Sequence, residues 1–129
     1  MIPPDNTQIY ETEIGIFWLD ADGILCQNSK ATPRTMENMK KHIDLIRQIT
    51  NNAKVCTLAD GTHAAPSNKE IRDFVKTELK KSTKAMAILS SSPLGTLLAN
   101  FIILFNRQDI PIKLFTNEKE AKEWLRHYL

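Results

Sequence analysis

The chain has 129 residues, of which 42% are apolar and 25% charged. That is the size and make-up of one globular domain, and it excludes disordered and collagen-like classes. Seventeen basic against fifteen acidic side chains leave a net charge of +2, which gives no electrostatic ground for a nucleic-acid partner. Two cysteines, Cys26 and Cys56, are too few for a disulfide framework, and each stands in an apolar run as small buried hydrophobes do. A reducing, cytoplasmic setting is therefore expected. No signal peptide is expected, and the longest apolar stretch, Leu97 to Phe105, is about half a spanning length and is interrupted by Asn100.

In chain order, residues 1–6 read as a loose, Pro-rich terminus and Thr7 to Thr12 as a short edge strand. Ile14 to Leu19 is a strong strand. Asp20-Ala21-Asp22-Gly23 supplies turn chemistry, with Gly23 free to take positive φ, and Ile24 to Gln27 returns as the partner strand. Thr32-Pro33 predicts a helix start, followed by Met36, Met39, Ile43, Ile46 and Ile49 at helical spacing and a stop near Asn51-Asn52. Lys54 to Ala59 is a short buried strand ending at Asp60-Gly61. A second helix is predicted with Ser67 as cap, Glu70 at capping-box spacing, and Ile71, Phe74, Val75 and Leu79 as its apolar stripe. Ala85 to Leu89 is the next strand. Ser90-Ser91-Ser92-Pro93 opens a third helix to about Arg107, and Ile112 to Phe115 is the last strand. Thr116 or Asn117 caps a final helix in which Ala121, Trp124, Leu125 and Tyr128 face inward.

A hairpin followed by alternating helices and strands implies crossover connections, hence an α/β fold whose mixed sheet is parallel beyond its opening hairpin. Residues 7–129 form a single domain in this scheme, with no internal repeat and no linker.

Three local patterns add to that order. They are the acidic-Gly turn from Trp18 to Gly23 followed by Ile24; Ser91-Ser92-Pro93-Leu94 leading into Leu97, Leu98, Asn100 and Phe101; and Pro111 through Phe115-Thr116-Asn117 to Glu120-Ala121 and Trp124-Leu125. With them the chain resembles the SpoIIAA-like group of the STAS superfamily, small domains related to anti-sigma-factor antagonists. Its ending is similar to the tail of uncharacterised bacterial members. The resemblance implies a mixed sheet with helices packed mainly on one face, and many members have no assigned activity. Phosphorylatable members carry an Asp-Ser-Ser-Gly-like turn before the second helix. At that place this chain has Leu58-Ala59-Asp60-Gly61-Thr62-His63-Ala64-Ala65-Pro66-Ser67. Only Ser67 or Thr62 can stand in for the phospho-acceptor, and a serine before a helix is most often just a cap.

Read for chemistry, the residues mostly exclude. Asp20 and Asp22 lack the further oxygen ligands of a calcium loop and belong to a turn. Cys56, Asp60 and His63 are the ingredients of a nucleophilic site, but Cys56 lies within its strand, so no catalytic residue is expected. Three His and two Cys without ligand spacing give no zinc site, and no Gly-rich loop accompanies the serines, so no metal and no cofactor are expected. A receiver-type reading of Asp60, Ser90 and Lys113 fails because Lys113 is mid-strand and the acidic pair sits in the hairpin turn. The Lys76, Lys80, Lys81 and Lys84 cluster reads as a solvated helix end or a weak patch for an anionic partner. A small-ligand or anion rim, if present, is expected at Asp60, Thr62, His63, Ser90, Ser91 and Ser92, where strands end.

The apolar surplus carries the functional expectation. Ala99, Ile103 and Leu104 fall off the inward stripe of the third helix yet are apolar, and Ile16/Trp18 and Phe17/Leu19 make one strand apolar on both faces. Something has to cover them: a second copy, another protein, a lipid, a membrane surface, or for the strand the N-terminal segment. A dimeric, non-catalytic regulatory or binding module with an interface at Ala99, Ile103, Leu104 and Trp18 is the expectation. The alternatives are a small-ligand or lipid carrier and, less favoured, a phospho-switched antagonist.

Overall fold

A computed structural model describes residues 1–63, 65, 67–90 and 110–129. Six strands, β1 (Tyr10–Thr12), β2 (Gly15–Leu19), β3 (Leu25–Ser29), β4 (Val55–Asp60), β5 (Thr83–Leu89) and β6 (Ile112–Phe115), lie side by side in sequence order. The β1–β2 and β2–β3 pairs are antiparallel; β3–β4, β4–β5 and β5–β6 are parallel. The described helices are α1 (Met36–Thr50), α2 (Lys69–Ser82) and α3 (Glu118–Arg126). This is the mixed α/β sheet that the order of elements implies.

Alternation along the strands splits the core into two layers. Trp18, Cys26, Leu58 and Ala87 are successive cross-strand partners on one face, where Ala121 and Leu125 of α3 pack on them. Leu25, Thr57 and Met86 line the other face, below α1 and α2. A right-handed crossover repeated in one direction puts α1 and α2 on the same side. Helix α3 follows the last strand and is free of that rule, and it takes the opposite side.

That placement corrects the expected interface at Trp18. Trp18 is 1% exposed, sheltered within its own subunit by α3, with Met1 packed against the same cluster. Phe17, on the other face of β2, is fully buried between the stacked Tyr10 ring and the edge of His42. Each face of the doubly apolar strand thus has one fully covered residue without a second copy, while Ile16 and Leu19 stay half-buried. Ala99, Ile103 and Leu104 lie outside the described residues, as do Ser91, Ser92 and the expected third helix.

Several element boundaries move for local reasons. Helix α1 starts at Met36, not at Pro33: Thr35 is the cap, its side chain accepting from the Asn38 N–H while the Asn38 side chain accepts from the Thr35 N–H. This reciprocal box outcompetes the Thr-Pro signal, and Pro33 is left outside, its carbonyl accepting from the Asn38 amide. The stop is where expected, with Asn51 left-handed at φ 54° and the Asn52 N–H bonded back to the Arg47 carbonyl. Helix α2 is capped by Asn68, not Ser67, since the Asn68 side chain takes the Ile71 N–H. Asn117 caps α3, and Tyr128 falls beyond its last turn, outside the core, with its ring edge against Trp124. The β2–β3 turn has Gly23 at φ 81°, and Asp20 Oδ1 accepts from the Asp22 and Ile24 N–H groups. Its carboxylates also hold α3: Asp20 pairs with Lys122 and Asp22 with Arg126.

Among the described residues no helix is long and apolar enough to cross a membrane.

Candidate functional site

The α1/α2 layer does not close onto the sheet. Between them lies a cavity of about 620 Å³, within the size range of small-molecule sites. Its floor is the α1/α2 face of β2 to β5, including Leu25, Thr57 and Ile88; its roof includes Met39 and Ile43 of α1 and Ile71 and Val75 of α2. These roof residues are the apolar stripes whose helical spacing the sequence shows. The stripes face the sheet without filling the gap, since Ile43, Ile46, Val75 and Leu79 stay only half-buried.

Polar groups stand at defined points on this apolar wall. His42 is 7% exposed, with Nδ1 2.7 Å from Thr12 Oγ1 and Nε2 3.1 Å from Gln27 Oε1. Burial, with a smaller contribution from the Arg34 charge, pushes its pKa down to about 4, so the ring is neutral at physiological pH. Near the C-terminal ends of the helices, Arg47 of α1 forms an ion pair with Glu78 of α2. Near their N-terminal ends stand Arg34 and Arg72, both half-buried and lining the cavity. Arg34 Nη1 donates to the Lys30 and Thr32 carbonyls at 2.9 and 2.6 Å, and Arg72 Nη1 donates to the Ser67 carbonyl at 2.8 Å. Burial lowers the Arg34 pKa from its ordinary value.

The rim expected from sequence lies beside this cavity. Asp60 ends β4, where its Oδ1 accepts from the Thr62 N–H at 3.0 Å and its Oδ2 lies 3.4 Å from the Met1 ammonium. Burial works to raise the Asp60 pKa, but hydrogen bonds from Thr62 and the ammonium charge outweigh it and hold the carboxyl below its usual value. Thr62 is half-buried in the same turn, while His63 is exposed. Ser90 is buried at the end of β5, its N–H donating to the Phe115 carbonyl. The strand ends therefore bring Asp60 and Thr62 into one turn, with Ser90 following the neighbouring strand. Of this neighbourhood, Gly61 and Ser67 line the cavity. Sequence reasoning missed Gln27, Arg34, His42 and Arg72. His42 carried a signal, since it sits next to Ile43 and three residues after Met39 on the inward face of α1; the two arginines look like ordinary surface residues.

The nucleophilic ingredients are not assembled. Cys56 is 1% exposed on the α3 face, its thiol directed at the Leu125 carbonyl, and burial raises its pKa. Cys26 is fully buried, and burial pushes its thiol up to about 12. Among the described residues no three His, Cys, Asp or Glu side chains gather where they could hold a metal ion.

A family model described as a domain of unknown function, DUF7793, matches residues 17–129. The chain belongs to that family. Among solved structures, this DUF7793 domain is similar to an uncharacterised protein of the DUF3478 family with a SpoIIAA-like fold from Shewanella loihica PV-4. The identity is 18% and the TM-score 0.59, over 92% of this chain and 91% of that one. The fold is SpoIIAA-like, as the sequence resemblance implies. A protein of unknown function from Arthrobacter sp. FB24 matches at 24% identity over 85% of this chain and 97% of that one, with a TM-score of 0.31 that carries no argument. No curated protein matches.

Proposed function

We propose that this DUF7793 domain is a non-catalytic binding module that holds an elongated, mainly apolar small ligand between its sheet and the α1/α2 layer. The observation that carries this is the 620 Å³ cavity with apolar floor and roof. The apolar stripes of α1 and α2 that line it stay half-buried, and a ligand seated there would take that surface out of water. The Thr12–His42–Gln27 network, buried at its imidazole and half-buried at its two ends, stiffens one wall, which favours a preformed site. Of the three expectations from sequence, the carrier thereby gains support over the interaction surface. The homodimer now rests on Ala99, Ile103 and Leu104 without Trp18.

The test is binding of N-phenyl-1-naphthylamine, a neutral dye that fluoresces in apolar sites, to the purified chain. Saturable one-to-one binding is expected, abolished by Val75→Trp, which fills the cavity from α2. Dye binding that is absent, or that Val75→Trp leaves unchanged, would overturn the proposal. Light scattering of the same sample tests the homodimer separately.

A further inference from the structure

The charges lining the cavity are lopsided. Among the described residues they are Arg34, Arg47, Arg72 and Lys76 against the single carboxylate Glu78. Arg47 is neutralised by Glu78. Arg34 and Arg72 form no ion pair with any described carboxylate, although both are half-buried. A guanidinium withdrawn from water beside an apolar wall usually has a carboxylate or phosphate partner, because its desolvation is otherwise uncompensated. Both unpaired guanidinium groups stand at one end of the cavity, and Lys76, one turn further along α2, likewise forms no ion pair with a described carboxylate. Arg34 immediately precedes the α1 cap Thr35, and Arg72 is in the first turn of α2. Both therefore stand over the C-terminal edge of the parallel strands, where the two helix dipoles add positive potential.

The two forks are also held in place. Arg34 is fixed by two backbone carbonyls through one nitrogen, and Arg72 by one carbonyl. Each guanidinium has five N–H donors in a rigid plane, so these bonds leave others free for a bidentate contact with a carboxylate or phosphate. Asp60, the acid that ends β4 at this edge, is engaged by Thr62 and the Met1 ammonium and does not line the cavity. Further along, His42 is neutral and offers the cavity no charge. The cavity thus carries two guanidinium groups at one end, mainly apolar side chains with Lys76 beside them through its middle, and the Arg47–Glu78 ion pair at the other.

We infer that the ligand is a single-chain amphipath with an anionic head, a carboxylate or phosphate ester, bound head-first at Arg34 and Arg72 with its alkyl chain running between α1/α2 and the sheet. This rests on the cavity reading above and adds to it an orientation and a charge.

Competition against the neutral dye on the full chain separates the two claims. The probes are palmitate, dodecyl phosphate, 1-hexadecanol and inorganic phosphate. Palmitate or dodecyl phosphate should displace the dye at least tenfold more tightly than hexadecanol, and which of the two binds more tightly identifies the head. Arg34→Gln/Arg72→Gln should weaken the anionic ligand about tenfold or more, the range of a charge-assisted hydrogen bond, and leave hexadecanol unchanged. If loss of the Arg34 carbonyl bonds unfolds that variant, Arg72→Gln alone should still show a several-fold selective loss. Equal affinity for hexadecanol and palmitate would overturn the anionic head and leave the apolar cavity standing. Binding of inorganic phosphate as tight as that of the alkyl phosphate would also overturn it, since the chain would then contribute nothing. If the dye itself does not bind, the cavity reading falls with it.

Discussion

His42 Nδ1 lies 2.7 Å from the Thr12 hydroxyl, tying the middle of the α1 roof to edge strand β1. With Nε2–H donating to Gln27 Oε1 and Nδ1 accepting from Thr12, the ring is satisfied as the neutral tautomer. Its folded pKa of about 4 lies below the ordinary 6.5 because the charged form is desolvated and faces Arg34. The unfolded chain therefore binds more protons below pH 6.5, and stability falls as pH drops through that window. From pH 7 to pH 5 the loss from this residue is about 2 kcal/mol. Urea unfolding at the two pH values should show it, and His42→Gln should remove most of the difference. An unchanged slope in that variant would mean that other groups set the acid sensitivity.

Gly15 shows a constraint of space. A Cβ built there would lie 2.9 Å from the Asn28 carbonyl oxygen, which is backbone held in the β2–β3 ladder. Gly15→Ala should therefore destabilise the fold by about 1–3 kcal/mol, read as a lower urea midpoint. A midpoint within error of the parent would show that the hairpin yields at no cost.

Among the described residues Trp18 is the largest fully buried side chain, yet its Nε1–H has no hydrogen-bond partner there. Burying that group unpaired costs about 1–3 kcal/mol, which Trp18→Phe recovers while losing some packing. The two effects oppose, so Trp18→Phe should cost under about 1.5 kcal/mol, whereas Trp18→Ala should cost about 3–5 kcal/mol. Thermal melts of both variants compare them directly. A Phe variant as damaged as the Ala variant would mean the indole nitrogen is satisfied in solution.

Both thiols should be inert in the native state. Cys26 is fully buried and raised to about 12, and Cys56 is 1% exposed with its thiol also raised; reactivity needs an accessible thiolate. Iodoacetamide at neutral pH should label neither in the folded protein and both in urea. Native-state labelling of Cys56 would reopen the nucleophilic reading.

The sheet was legible because strands such as Ile14 to Leu19 and Ala85 to Leu89 are short apolar runs bounded by turn residues, and β6 at Ile112–Phe115 coincides with its expected range. Helix starts were less so, since Thr32, Thr35, Ser67 and Asn68 all satisfy capping chemistry and only the reciprocal bond to Asn38 or the contact to the Ile71 N–H decides. The side taken by α3 had no local signal: the crossover rule governs a helix between two parallel strands, and among the described residues α3 is not such a helix. The cavity was hidden because it is a distance between layers, and helical spacing reports which residues face the sheet without reporting how far away it lies.

Asp20 and Asp22 distinguish turn chemistry from charge pairing at the α3 clasp. Asp22 is 43% exposed, and among the described residues its carboxylate pairs with Arg126 at the surface; Asp22→Ala should change stability by at most about 0.5 kcal/mol. The Asp20 side chain is 7% exposed, pairs with Lys122, and accepts two turn N–H groups at 2.9 Å. Asp20→Ala strands those donors and should cost about 1–3 kcal/mol. Asp20→Asn keeps the acceptor oxygen and removes the charge, so its cost should fall under about 1 kcal/mol and shrink further in high salt. Chemical denaturation of the three variants at low and high salt measures the split. If Asp20→Asn proves as costly as Asp20→Ala, the Lys122 pair and not the turn holds α3 against Trp18.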